Sequence, residues 1–109
     1  MTRKPNAAPS RSHEAATVES FRKDPPYAAE YLNAVLADGD QEEVMLALRR
    51  LSKAFGGVSK LARETDLNAT TLYRMLSPKG NPELKSLTAL LRALGMQLAV
   101  RLLPQKRAA

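Results

Sequence analysis

The apolar residues of this chain recur at three-and-four spacing in short blocks, and each block is cut off by glycine, proline or a capping Asp or Asn. Such a pattern restricts the chain to a set of short amphipathic helices, because a 3.6-residue period puts these positions on one face. Pro25 and Pro26 open a first helix, where no N–H is needed. Ala28, Tyr31, Leu32, Val35 and Leu36 form its apolar face, and Gly39 ends it in the left-handed conformation that costs glycine nothing. Asp40 and Glu43 make a capping-box pattern for a second helix. Val44, Ala47, Leu48, Leu51, Ala54 and Phe55 are its buried stripe, Arg49, Arg50 and Lys53 stay outside, and Gly56 and Gly57 terminate it.

A short third helix over residues 58–65 buries Val58, Leu61 and Ala62. Asp66 and Leu67 turn the chain, and Asn68 caps a fourth helix over residues 69–76 with Leu72, Met75 and Leu76 inward. After a loop at 77–81, Asn81, Pro82 and Glu83 supply a cap, a first-turn proline and an early acid for a fifth helix. Leu84, Leu87, Leu90, Leu91 and Leu94 line it, and Gly95 stops it. Met96, Leu98, Val100 and Leu102 then alternate with Gln97, Ala99, Arg101 and Leu103, a period of two that predicts a strand ended by Pro104. The expected fold class is all-α, five helices followed by a C-terminal β-strand.

Composition narrows the chemistry. Aromatics make up 5% of the 109 residues and there is no Trp, so the core is built from Leu, Val, Met and Ala. Cysteine is absent, which excludes disulfides, thiol nucleophiles and cysteine-based metal sites. The single histidine, His13, leaves no route to a catalytic triad or a multi-histidine metal site. The chain therefore reads as a non-enzyme with no cofactor and no metal, since no residue set fills the roles of nucleophile, base and oxyanion donor. No apolar run approaches the roughly 20 residues of a bilayer span, and the N-terminus lacks the apolar core of a secretory signal. The expected location is cytoplasmic, without a membrane partner.

Residues 1–20, rich in Pro, Ser and Ala, read as a disordered leader; residues 21–103 form the domain and 104–109 a tail. The net charge of +6 is unevenly spread. Residues 25–50 carry five acidic and two basic side chains, whereas residues 51–109 carry ten basic and three acidic ones. The basic half suits a polyanion, and the acidic middle suits a separate, basic partner.

Two short helices joined by about three residues, 58–65 and 69–76, have the layout of a helix-turn-helix. Ala62 lets the helices cross closely, Leu67 plugs the turn, and Leu72 and Leu76 anchor the second helix from below. The opposite face presents Ala69, Thr70, Tyr73 and Arg74 as candidates to enter a major groove. Arg74 has the donors to read the O6/N7 edge of guanine, and the Thr70 methyl suits a thymine methyl. Thr71 and Tyr73 suit phosphates, and Lys60, Arg63 and Lys79 flank the element as backbone contacts. An ordinary helical core shares the same spacing.

The stretch GVSKLARETDLNATTLYRMLSPKGNPELKSLTALLRALGMQLAV resembles the helix-turn-helix antitoxins known as addiction module antidote proteins, HigA-like and related to the Xre/Cro phage repressors. The likeness covers residues 20 to 103, most specifically Leu72-Tyr73-Arg74, Leu76-Ser77-Pro78 and Gly80-Asn81-Pro82. It implies a phage-repressor-like domain acting as a homodimer on a palindromic operator in double-stranded DNA. It also implies a RelE/ParE-like toxin that the protein neutralises, and an operon that it autorepresses while on the nucleoid. Three features depart from the family: Asp66 stands at a turn position commonly Gly, Ala69 replaces a larger polar residue, and a strand follows Gly95 where phage repressors continue with a helix.

Two other functions fit the same residues. One is a stand-alone Xre/Cro-like regulator without a toxin, and the other is a protein-interaction module in which the helix-turn-helix is structural. Met96, Leu98, Val100 and Leu102 are expected to make the dimer, covered by the fifth helix, with the strand paired across a two-fold axis.

Overall fold

The computed structural model describes residues 11–105. Six helices follow one another: α1 (Arg11–Lys23), α2 (Pro25–Asp38), α3 (Gln41–Ala54), α4 (Gly57–Glu64), α5 (Ala69–Met75) and α6 (Leu84–Ala93). The α3 helix is the hub, packing against α1, α2 and α4, while α4 carries α5 and α6. Phe21, Met45, Leu48, Leu51, Leu61, Leu72 and Leu90 are fully buried where these helices meet. Removing each such side chain from water is worth about 1.5–3 kcal/mol, which is what holds helices too short to persist alone. None of the described helices is long and apolar enough to cross a membrane.

Local signals set most boundaries. The Asp24 carboxylate accepts from the Tyr27 N–H at 3.1 Å ahead of the Pro25–Pro26 start of α2. Both halves of the expected capping box form on α3: Asp40 accepts from the Glu43 N–H at 2.9 Å, and Glu43 accepts from the Asp40 N–H at 2.8 Å. Asn68 caps α5 by accepting from the Thr71 N–H at 2.8 Å. At α6 the signals mislead by two residues. The helix starts at Leu84 with Glu83 as an N-cap that makes no side-chain cap bond, so Asn81 and Pro82 lie outside it and Leu84 is exposed.

The expected five-helix domain with a C-terminal β-strand is corrected on both counts. Six helices are present, and there is no strand among the described residues. The extra helix, α1, takes up residues 11–20 of the expected disordered leader, while residues 1–10 lie outside the described residues. Its anchors are not an apolar stripe. Phe21 enters the core, Val18 packs at its edge, and Glu14 meets Arg50 of α3 through a two-oxygen ion pair with a closest approach of 2.9 Å. Arg50 also donates to the Tyr31 hydroxyl at 3.2 Å, and Arg49 donates to the Leu76 carbonyl at 2.6 Å, so these arginines are tied into the fold rather than left outside.

Beyond α6, residues 96–105 carry no sheet ladder. The Met96 N–H closes on the Leu91 carbonyl at 2.8 Å, and no helix or strand includes residues 96–105. Alternation reports an extended backbone, whereas a strand also requires a neighbour to bond. The expected cover for the alternating apolar face is missing as well. Only Met96 packs on the core, and Leu98, Val100 and Leu102 are exposed. Gly39 holds a second surprise: its φ of −86° is not left-handed. Space selects glycine there, because a Cβ would sit 2.8 Å from the Val35 carbonyl oxygen.

Candidate nucleic-acid interface

The α4–turn–α5 unit is built from a buried floor upward. Leu61 of α4 and Leu72 of α5 are fully buried against each other's helix layer, and Met75 and Leu76 close the floor. Ala62 and Leu67 are half-buried against the core, in the crossing and plugging positions expected of them. The turn is fastened by a residue the sequence reading overlooked. Thr65 donates its hydroxyl to the Leu61 carbonyl at 2.8 Å and accepts from the Leu67 N–H at 3.1 Å. Asp66 needs no unusual backbone, since no described residue other than glycine has a positive φ. A family glycine is therefore replaceable here because Thr65 shapes the turn.

With its floor buried, α5 turns Ala69, Thr70, Tyr73 and Arg74 to solvent, and Thr71 is half-buried. The structure sorts the expected site residues into four groups. Thr71, Arg74 and Lys79 share an open cleft of about 440 Å³ with Ser77, Asn81 and Ser86, between the end of α5 and the start of α6. Its two cations and its hydroxyls are the donors that an anionic phosphodiester accepts from. Ala69 and Thr70 lie outside the cleft at the other end of α5.

Tyr73 stands apart again, over a small apolar cavity of about 160 Å³ lined by Val58, Leu76 and the flanks of Arg49 and Lys53. The fourth group, Lys60 and Arg63, is exposed on α4 and lines neither cavity. Lys60 pairs with Glu64 at 3.0 Å, so its charge already has a counter-ion one helical turn away. Arg63 and Lys79 are exposed, the latter in the loop that follows α5.

Three contributors went unnoticed in the sequence: Ser86, Asn81 and Lys53. Ser86 sits in the leucine-lined helix on a face the stripe does not use, which was its one legible signal. Asn81 was read as a cap, and Lys53 as a solvated charge. The loop that brings Lys79 to the cleft is fixed by a close backbone approach. A Cβ at Gly80 would lie 2.2 Å from the Met75 carbonyl oxygen, and the Gly80 carbonyl accepts from Gln41 Nε2 at 2.9 Å. Loop 77–81 is thereby pinned to both α5 and α3, which fixes the cleft from two sides.

A family model described as "Probable addiction module antidote protein" matches residues 16–102. The chain is 31% identical over 71 residues to an uncharacterized protein of Haemophilus influenzae, a stretch covering 65% of this chain and 72% of that relative. No solved structure matches the chain.

Proposed function

The chain belongs to the family of probable addiction module antidote proteins, which gives it an antitoxin's role beside a toxin partner, and from that premise we propose that it is a DNA-binding antitoxin that represses its own operon. The observation that carries the DNA-binding part is the face of α5: Thr70, Tyr73 and Arg74 exposed above a buried Leu61–Leu72 floor, with Arg74 and Lys79 brought to one cleft beside Thr71. In this reading Arg74 reads a guanine edge, Ala69 and Thr70 make apolar contact with bases, and Thr71, Tyr73, Lys79 and Arg63 hold phosphates. Lys60, already paired with Glu64, contributes less. The protein binds a palindromic site as two copies, works on the nucleoid in the cytoplasm, and performs no catalysis.

The toxin is of the RelE/ParE-like kind, small and basic. Charge supports this assignment. Residues 25–50 carry five acids, and the two cations among them, Arg49 and Arg50, are both engaged within the fold. The segment is thus net acidic, opposite in sign to the half that would face DNA.

Binding of the purified protein to duplexes from upstream of its own reading frame, measured across a salt series, tests the reading. Log K is expected to fall by roughly 0.9 per phosphate neutralised for each decade of salt. Arg74→Ala is expected to weaken specific binding by about 1–3 kcal/mol and to relax preference at one position per half-site. Lys60→Ala is expected to change the salt slope less than Lys79→Ala. Equal binding of parent and Arg74→Ala to native and scrambled duplexes would place recognition elsewhere.

A further inference from the structure

Between α2, α3 and the start of α6 the core stays open to solvent. Leu32, Met45 and Leu48 are the buried floor of a cleft of about 230 Å³, and Leu36, Val44 and Leu87 wall it. Leu36 is 47% exposed, although it belongs to the apolar face of its helix. The volume suits an aliphatic side chain or two rather than a cofactor. Both walls are preformed. The capping box fixes the start of α3, and Gln41, which also lines the cleft, donates to the Gly80 carbonyl at 2.9 Å beside Asn81 and Pro82. A site held open in this way has little freedom left to lose on binding.

The border of the cleft selects what enters it. The chain from Leu36 to Val44, both of which line the cleft, carries Asp38, Asp40, Glu42 and Glu43 and no cation. All four acids are exposed, and none forms an ion pair among the described residues. The other wall, from Pro82 to Leu87, carries Glu83 and Lys85 and is balanced. Two other apolar cavities are edged by cations instead, Arg49 and Lys53 beneath Tyr73 and Arg101 after α6. An apolar pocket with an acidic border fits a basic protein that offers an aliphatic anchor.

Resting on the toxin reading above, we propose that the toxin docks at this cleft. It seats an aliphatic side chain between Leu36, Val44 and Leu87, and its flanking lysines or arginines meet the four acids of residues 38–43. The cleft shares Asn81 and Pro82 with the one that holds Arg74 and Lys79, but it contains neither cation. A toxin seated here therefore leaves the proposed DNA contacts of the chain chemically intact.

Calorimetric titration of the full chain with the small basic protein encoded beside it tests the assignment. Leu36→Ser, at a position already half in water, is expected to weaken the complex about tenfold with unchanged helical circular dichroism and unchanged duplex binding. Asp38 and Glu42 lie outside the capping box, so the double variant Asp38→Lys, Glu42→Lys keeps the fold. It is expected to weaken the complex at least about tenfold at low salt, by an amount that shrinks as salt is raised. Leu102→Ser, at a leucine that is exposed outside the cleft, is expected to bind as the parent does. A complex indifferent to Leu36→Ser and to the double variant overturns the docking site and leaves the antitoxin reading standing. No complex at all overturns both. Loss of self-association of the free chain on Leu36→Ser, with toxin binding unchanged, would give the cleft to a second copy and overturn the proposal.

Discussion

At the scale of single residues, the side chains that decide most are those whose partners lie far along the chain. Glu14 is the sharpest case. A hydrogen bond from Arg50 holds its carboxyl below the ordinary value of 4.5, outweighing the opposing effect of partial burial, and the charge of Arg50 adds to the lowering. Because the folded-state value is depressed, the stabilisation is fully present above about 4.5 and is lost as pH falls through the folded value. Glu14→Gln is therefore expected to cost about 1–2 kcal/mol at neutral pH, and that difference from the parent should vanish on acidification. Urea denaturation of both proteins across a pH series measures it; a difference constant with pH would detach Glu14 from Arg50. Neither residue announces the other in the sequence. Arg50 reads as one of three outward cations on α3, and only folding brings it within 2.9 Å of Glu14.

At the scale of elements, caps were legible and neighbours were not. The capping box of α3 and the Asn68 cap of α5 follow from side chains that bond backbone three residues away, so local sequence suffices. Asn68→Ala should cost about 1 kcal/mol of stability by leaving the Thr71 N–H unsatisfied. It should also weaken duplex binding, because α5 is only seven residues long and frays from that end; thermal melting and the binding assay above check both. The α1 helix and the segment after α6 show the opposite. The first is held by one aromatic, one valine, one ion pair and a bond from Arg22 to the Ala54 carbonyl, which produce no periodic signal. The second has a strand's alternation without a strand's neighbour.

At the scale of the whole molecule, α3 ties the N-terminal helices to the recognition unit. It touches α1, α2 and α4 directly, and its Gln41 and Arg49 reach the loop and the end of α5 through Gly80 and Leu76. Loosening α1 is thus expected to be felt at the candidate interface. Deleting residues 1–20 removes Glu14 and Val18 and is expected to lower the melting temperature of the entire domain in a single cooperative transition, and to weaken duplex binding with it. Melting followed by circular dichroism decides the matter. An unchanged midpoint would mean that α1 is an appendage to the rest of the domain.

The sequence by itself determined what depends on contacts within about four residues: five helices with their spacing, the caps at α3 and α5, the short pair α4–α5, and which face of α5 turns outward. Those follow from the 3.6-residue period and from bonds between a side chain and its own backbone neighbourhood. Tertiary structure alone decided whatever needs a partner remote in the chain. That includes the order of residues 11–20, the engagement of Arg49 and Arg50, the gathering of Arg74, Lys79 and Ser86 around one cleft, and the absence of a strand in residues 96–105. A period of two fixes which side chains share a face, but burial and pairing belong to the neighbour, and for Val100 and Leu102 no such neighbour is found among the described residues.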